Sequence, residues 1–179
     1  MSLAEPTPFK PQIRPIEPTD LPAFKAFLSE LSPGTLYFRF GCLSLPVLTQ
    51  EQWTELCKPN PDRCAQFVAT QVTGPGRYAI LGVARLVFQS GEHALPSSAE
   101  FTLVVADHLQ NRGLGRQLMH TLIGEANRRG LDLIYGDVLP SNTTMLSFCE
   151  GLGFVSQANP DEPRIHRMML PIKTQQLKH

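Results

Sequence analysis

The residues with the clearest chemistry lie between Glu100 and Gly130, in the stretch EFTLVVADHLQNRGLGRQLMHTLIGEANRRG. A strand-like run ends in a turn containing Gly113 and Gly115. A helical pattern follows, with apolar residues at Leu114, Leu118, Met119, Leu122, Ile123 and Ala126. The first N–H groups of a helix have no partner within it and carry partial positive charge. Glycines at such an end let an anion approach the backbone, and Arg112 and Arg116 add formal positive charge. Together they form a cradle for a pyrophosphate. Two other phosphate motifs fit poorly. No Gly-Lys-Ser/Thr is present, which excludes a nucleoside-triphosphate loop. A dinucleotide fingerprint needs three glycines at its own spacing inside a strand–helix–strand unit, whereas the strand before this turn closes a run of three strands.

The elements that must position this turn are legible from pattern. Ile13–Ile16 reads as a short strand. Thr19-Asp20-Leu21-Pro22 starts a helix with a capping carboxylate and an early proline. Ala23, Phe24, Phe27, Leu28 and Leu31 continue it at helical spacing, and Ser32-Pro33-Gly34 stops it. A second helix opens at Thr49, with Gln52 placed for a capping box. Gln66–Val72, Tyr78–Phe88 and Ala99–Val105 predict an antiparallel meander, its turns at Gly74-Pro75-Gly76 and in the polar loop Ser90–Ser97. A helix over Gly113–Arg129 follows, closed by Gly130. Next come a strand over Leu131–Leu139 and a helix over about Thr143–Leu152, closed by Gly153. Strands over Phe154–Ala158 and Ile165–Leu170 complete the pattern.

The segment Gln110-Asn111-Arg112-Gly113-Leu114-Gly115 resembles the Gln/Arg-x-x-Gly-x-Gly/Ala loop of the GNAT superfamily of N-acetyltransferases. Asn142 and Gly153-Phe154 are similar to that superfamily's second signature, an asparagine followed by Gly-Phe around the next helix. The resemblance runs from about Ile13 to Leu170 and is strongest over Glu100–Phe154. It implies an α/β fold: a mixed, mostly antiparallel sheet of about seven strands flanked by about four helices. It also implies acetyl-CoA as cosubstrate, its pyrophosphate held by backbone N–H groups over Gln110, Asn111, Arg112, Gly113, Leu114, Gly115 and Arg116. The strand ending at Val105 is expected to splay from the strand over Leu131–Leu139. Pantetheine would enter that notch beside Val104 and Val105, with Asn142 facing the cofactor arm.

The segments IRPIEPTDLPAFKAFLSELSPGTLYFRF, AEFTLVVADHLQNRGLGRQLM and GDVLPSNTTMLSFCEGLGF further resemble the acetyltransferase domain of bacterial protein lysine acetyltransferases that modify acyl-CoA synthetases. That similarity implies a protein lysine as acceptor and an acyl-CoA synthetase as partner. Small-molecule amines, and a weakly catalytic acyl-CoA sensor, are the alternatives. An attacking amine must be neutral, and a lysine with a pKa of about 10.4 is almost wholly protonated at neutral pH, so a base is useful. Glu100 is the candidate, since it opens the strand leading to the turn, where related acetyltransferases often place a glutamate. Its apolar neighbours Phe101, Leu103, Val104 and Val105 would raise its pKa. Cys149 stands seven residues after Asn142, where many relatives carry a tyrosine acid; it reads as a small packing thiol. His108 reads as a solvated loop side chain. Arg39, in the aromatic segment Leu36–Phe40, is a candidate for the acceptor side.

Composition bounds the rest. The 179 residues fit one domain: an irregular arm over 1–11, the acetyltransferase domain over 12–172 and a polar tail over 173–179. Sixteen Lys+Arg balance sixteen Asp+Glu, so no global field draws nucleic acid or an anionic membrane. No run approaches the ~18 apolar residues of a membrane span. Cys42, Cys57, Cys64 and Cys149 form no Cys-x-x-Cys pair, so no metal site is expected. Reduced thiols point to the cytoplasm.

Overall fold

The computed structural model describes residues 10–89 and 97–172. The expected polar tail, the expected arm apart from Lys10 and Pro11, and nearly all of the Ser90–Ser97 loop lie outside the described residues. Seven strands form one sheet: β1 (Gln12–Pro15), β2 (Cys64–Gly74), β3 (Arg77–Phe88), β4 (Ser98–Val105), β5 (Leu133–Val138), β6 (Val155–Ala158) and β7 (His166–Pro171). Their order across the sheet is β1-β2-β3-β4-β5-β7-β6. Every pairing is antiparallel except β4 with β5. The mixed, mostly antiparallel sheet expected from sequence is the observed one.

Among the described residues five α-helices accompany the sheet: α1 (Leu21–Ser29), α2 (Pro33–Phe40), α3 (Gln50–Cys57), α4 (Leu114–Arg128) and α5 (Thr143–Glu150). The sequence suggested about four, and the addition is α2. Ser32-Pro33-Gly34 does end α1, but it also starts the next helix. Ser32 is the N-cap, its hydroxyl accepting from the Thr35 amide, and Pro33 occupies the first turn, where its missing N–H costs nothing. Gly41, at φ 73°, terminates α2 in a left-handed conformation.

A second correction concerns Asp20. It makes no side-chain cap on α1. Its carboxylate is fully buried and receives two hydrogen bonds of 2.7 Å from Arg14, one of 2.8 Å from the Glu17 amide, and one from the Tyr78 hydroxyl. A buried carboxylate is tolerated only when so paired. The result fastens the start of α1 to β1 and β3.

The helices divide between the two faces of the sheet. Side chains alternate along a strand, so Phe101 and Leu103 point one way from β4 and Glu100, Thr102 and Val104 the other. The α4–α5 side is the Phe101–Leu103 face: Leu103 and Phe148 both come within 3.7 Å of the Cβ position at Gly115. On the opposite face α3 is held by Gln66, whose side-chain amide donates to the Leu56 carbonyl at 3.1 Å. α1 packs against α3 through the edge-on rings of Phe24 and Trp53. Of the apolar stripe read from sequence, Leu114, Leu118, Met119, Leu122 and Ala126 are buried in α4 and Ile123 is half-buried.

Candidate active site

Among the described residues the one parallel strand pair is also the shortest pairing. β4 and β5 are in register only at Ser98–Leu133, Ala99–Ile134 and Glu100–Tyr135. Beyond Glu100, β4 runs on to Val105 without β5 beside it. The Phe101 ring stands where the strands part. It packs edge-on against Phe154 at 5.3 Å between centroids and lies 2.6 Å from where a Cβ would sit on Gly136. Only glycine leaves room for that wedge.

At the far end of β4 a short 3₁₀ turn, Asp107–Leu109, leads into the glycine turn. Asn111 (φ 60°) and Gly113 (φ 86°) both take left-handed backbone conformations. Such alternation turns successive amides inward to form an anion-binding concavity. Gly113 is the N-cap of α4 and offers no side-chain cap, so the first amides of that helix are left for a ligand. Leu114 anchors the start of the helix, buried in the core.

Notch and turn open into one cavity of about 540 Å³. Among the residues expected from sequence, Val104, Val105, Gln110, Asn111, Gly113, Gly115, Arg116 and Asn142 line it. Arg112 and Leu114 do not; Arg112 is exposed to solvent. Asn142 caps α5, its side-chain oxygen accepting from the Met145 amide at 3.2 Å, and this points the N-terminus of α5 into the same space. Glu100 stands outside the cavity wall, at the last paired rung before the strands part. Burial pushes its carboxyl above the ordinary value and Asp137 adds to the effect, against opposition from Arg167 and Arg39. Cys149 is fully buried, and burial pushes its thiol up to about 12. It does not reach the cavity, in keeping with a packing role. His108 is exposed and also absent from the wall.

The opposite wall comes from α2, which the sequence did not reveal as a helix. Phe38 and Arg39 line the cavity beside Ser32 and Thr35. A hydrogen-bond cluster ties this wall to the glycine turn. The Asp107 carboxylate accepts from the Ser32 amide (3.0 Å), the Ser32 hydroxyl (2.6 Å) and the Thr35 hydroxyl (2.7 Å). The Gln110 side-chain amide donates to Thr35 Oγ1 (3.3 Å) and to the Val105 carbonyl (3.2 Å). Gln110, expected to serve the cofactor through its backbone, lines the cavity while its side chain braces the protein. No cluster of three or more metal-ligating side chains occurs among the described residues.

Residues 35–154 match the acetyltransferase (GNAT) family. The chain belongs to that family. Acetyltransferase PA5475 of Pseudomonas aeruginosa is 31% identical over 160 residues, covering 88% of this chain and 83% of its own. The ribosomal protein bS18-alanine N-acetyltransferase of Escherichia coli is 29% identical over 89 residues, which is 50% of this chain and 55% of that protein. Among solved structures, the GNAT domain of S. lividans PAT superposes with a TM-score of 0.78 at 21% identity, covering 90% of both chains. As a GNAT acetyltransferase the chain is an acetyl-CoA-dependent N-acyltransferase.

Proposed function

We propose that the cavity takes acetyl-CoA with its pyrophosphate on the Gln110–Arg116 turn and its pantetheine arm in the notch, and that the acceptor is a protein lysine. The observation that carries the cofactor half is the single cavity joining an uncapped α4 N-terminus to an unpaired strand edge. The residues fit the cofactor. Asn111, Gly113, Gly115 and Arg116 line the turn end, where amides and a guanidinium meet a dianion. Val104, Val105 and Asn142 line the notch end. There the unpaired edge of β4 serves the amide groups of the arm, as an added strand would. Arg112 contributes long-range charge only, given its exposure, and Leu114 contributes through its amide.

In the reaction the amine nitrogen attacks the thioester carbonyl, a C–N bond forms and the C–S bond breaks. The amine proton passes to Glu100 on the acceptor face of the sheet. CoA leaves as a thiolate, a good leaving group that needs no strong acid, which accords with Cys149 being sealed in the core. Amides near Val105 polarise the carbonyl.

The lysine reading rests on the sequence resemblance over Ile13–Phe40 and on the wall those residues build. α2 carries Tyr37 and Phe38 exposed beside the cavity, a surface suited to a folded partner. An acyl-CoA synthetase is the partner we favour. The bS18-alanine relative supports a second reading, a protein N-terminal amine. Four free cysteines support a reducing cytoplasm, and no described helix is long and apolar enough to cross a membrane. The test is a panel of purified acyl-CoA synthetases, ribosomal proteins, polyamines, free amino acids and aminoglycosides with labelled acetyl-CoA, read by intact mass. Modification of a synthetase lysine is expected. Efficient turnover of a small amine with every protein untouched would refute the protein acceptor.

A further inference from the structure

Several ion pairs in the fold are closed: Arg14–Asp20 at 2.7 Å, Arg129–Glu125 at 2.6 Å and Arg167–Asp137 at 2.9 Å. Three charged side chains on the acceptor face are not. Register sets Arg85 opposite Thr102, and Glu100 opposite Val87 and beside Tyr135, so all share the face that points away from α4. Arg39 reaches the same face from α2, close enough to feel both Arg85 and Glu100. Yet among the described residues none of the three makes an ion pair within 4.0 Å. Arg39 has only the Phe40 ring, 4.8 Å away. Arg85 donates from Nη2 to the Cys64 sulfur at 3.4 Å, a weak acceptor, and its buried Nε has no partner.

Half-buried guanidinium groups without a strong acceptor lose hydration and gain little in return. Asp137 and Arg167 beside Glu100 pair with each other, so among the three unpaired groups two cations stand against one carboxylate, an excess of one positive charge. That arrangement suits an acceptor that brings its own anion. It also suits the chemistry at the amine: neighbouring cations disfavour the ammonium form and leave more of the neutral nucleophile. The same field repels a polycation such as a polyamine or an aminoglycoside.

We propose that the acceptor presents a carboxylate close to its reactive amine, and that Arg39 and Arg85 bind this carboxylate while the amine faces Glu100. The inference rests on the N-acyl transfer reading above and specifies its substrate class. Two sources supply the same chemistry: an aspartate or glutamate flanking the amine in a protein, or the α-carboxylate of a free amino acid.

The experiment compares short peptides with a single lysine flanked by aspartate, by glutamine or by arginine, together with free lysine, free glutamate and spermidine. Acetylation is followed by mass, and binding to the CoA-loaded protein by calorimetry. Wild type is expected to favour carboxylate-bearing acceptors over neutral ones by about tenfold or more in kcat/KM, the scale of a close charge pair. The arm that wins, peptide or free amino acid, identifies the source. The preference should collapse in Arg39→Gln and Arg85→Gln and return in part in Arg85→Lys. Unchanged acetyl-CoA affinity in Arg85→Gln certifies its fold. Equal or lower rates for carboxylate-bearing acceptors, or a preference that survives both glutamine variants, overturns the proposal. If no amine is acetylated at all, the transfer reading fails and calorimetry still decides. Selective binding of the acidic peptide that is lost in the arginine variants supports the anion site, and its absence refutes it.

Discussion

Replacing Asp107 with asparagine should loosen the acceptor wall without touching the cofactor turn's glycines. The carboxylate receives the Ser32 amide and two hydroxyls, Ser32 and Thr35, at the N-terminus of α2. Hydrogen bonds to a charged group contribute about 1.5–3 kcal/mol each when shielded. Water reaches this carboxylate, and asparagine keeps one acceptor oxygen, so about 1–2 kcal/mol is the expected total loss, the range of an N-cap deletion. For a chain of this size that lowers Tm by roughly 2–8 °C. The pH dependence follows in sign. Burial alone would raise the Asp107 pKa, but the Ser32 and Thr35 hydrogen bonds outweigh it and hold the group below its ordinary value. A carboxylate depressed in the folded state contributes stability above its unfolded pKa and loses it as pH falls through the folded one. The melting gap between wild type and Asp107→Asn should therefore be full near neutral pH and shrink below about pH 4. The acceptor KM should rise while acetyl-CoA affinity stays near wild type. Calorimetric melts and initial rates across pH read both effects. Identical melting at neutral pH, or a gap that does not narrow in acid, would refute the brace.

Glu100→Gln should lower kcat far more than it weakens cofactor binding, and should abolish an acidic limb lying above the ordinary carboxylate range, since burial and Asp137 raise this group. An unchanged pH–rate profile would assign the proton elsewhere. Cys149→Ala should keep most activity; a loss of about a hundredfold, roughly 2.7 kcal/mol of barrier, in a protein of unchanged Tm would make it the acid. Gly136→Ala sets a Cβ 2.6 Å from the packed Phe101 ring and should destabilise by about 1–3 kcal/mol, read in urea melts. An unaffected midpoint would deny that the aromatic wedge is closely packed.

What was legible in the sequence was what is local. The α4 stripe, Gly130 at φ 68° and the capping box of Thr49 and Gln52 all depend on residues within a turn or two of one another. The glycine turn was legible for the same reason. α2 was not, because proline and glycine after Ser32 signal an end and a beginning with the same residues. Asp107 carried no signal, since its partners Ser32 and Thr35 lie 75 and 72 residues away. Asp20 looked like a cap because capping and buried pairing both use a carboxylate before a helix. Arg85 drew no notice within a strand of ordinary pattern. Only the register shows that it shares a face with Glu100.

The central claim is that the turn at the head of α4 holds the acetyl-CoA pyrophosphate. Titration calorimetry of acetyl-CoA against wild type and Gly113→Asp tests it most directly. Gly113 sits at φ 86°, open on its Cβ side with nothing described within 4 Å. An aspartate there meets no neighbouring atom, carries the left-handed backbone at a cost of about 1–2 kcal/mol, and sets a negative charge in an anion cradle. The account predicts micromolar binding to wild type and no measurable binding to a Gly113→Asp protein of near wild-type circular dichroism. Equal affinity in the two would contradict it.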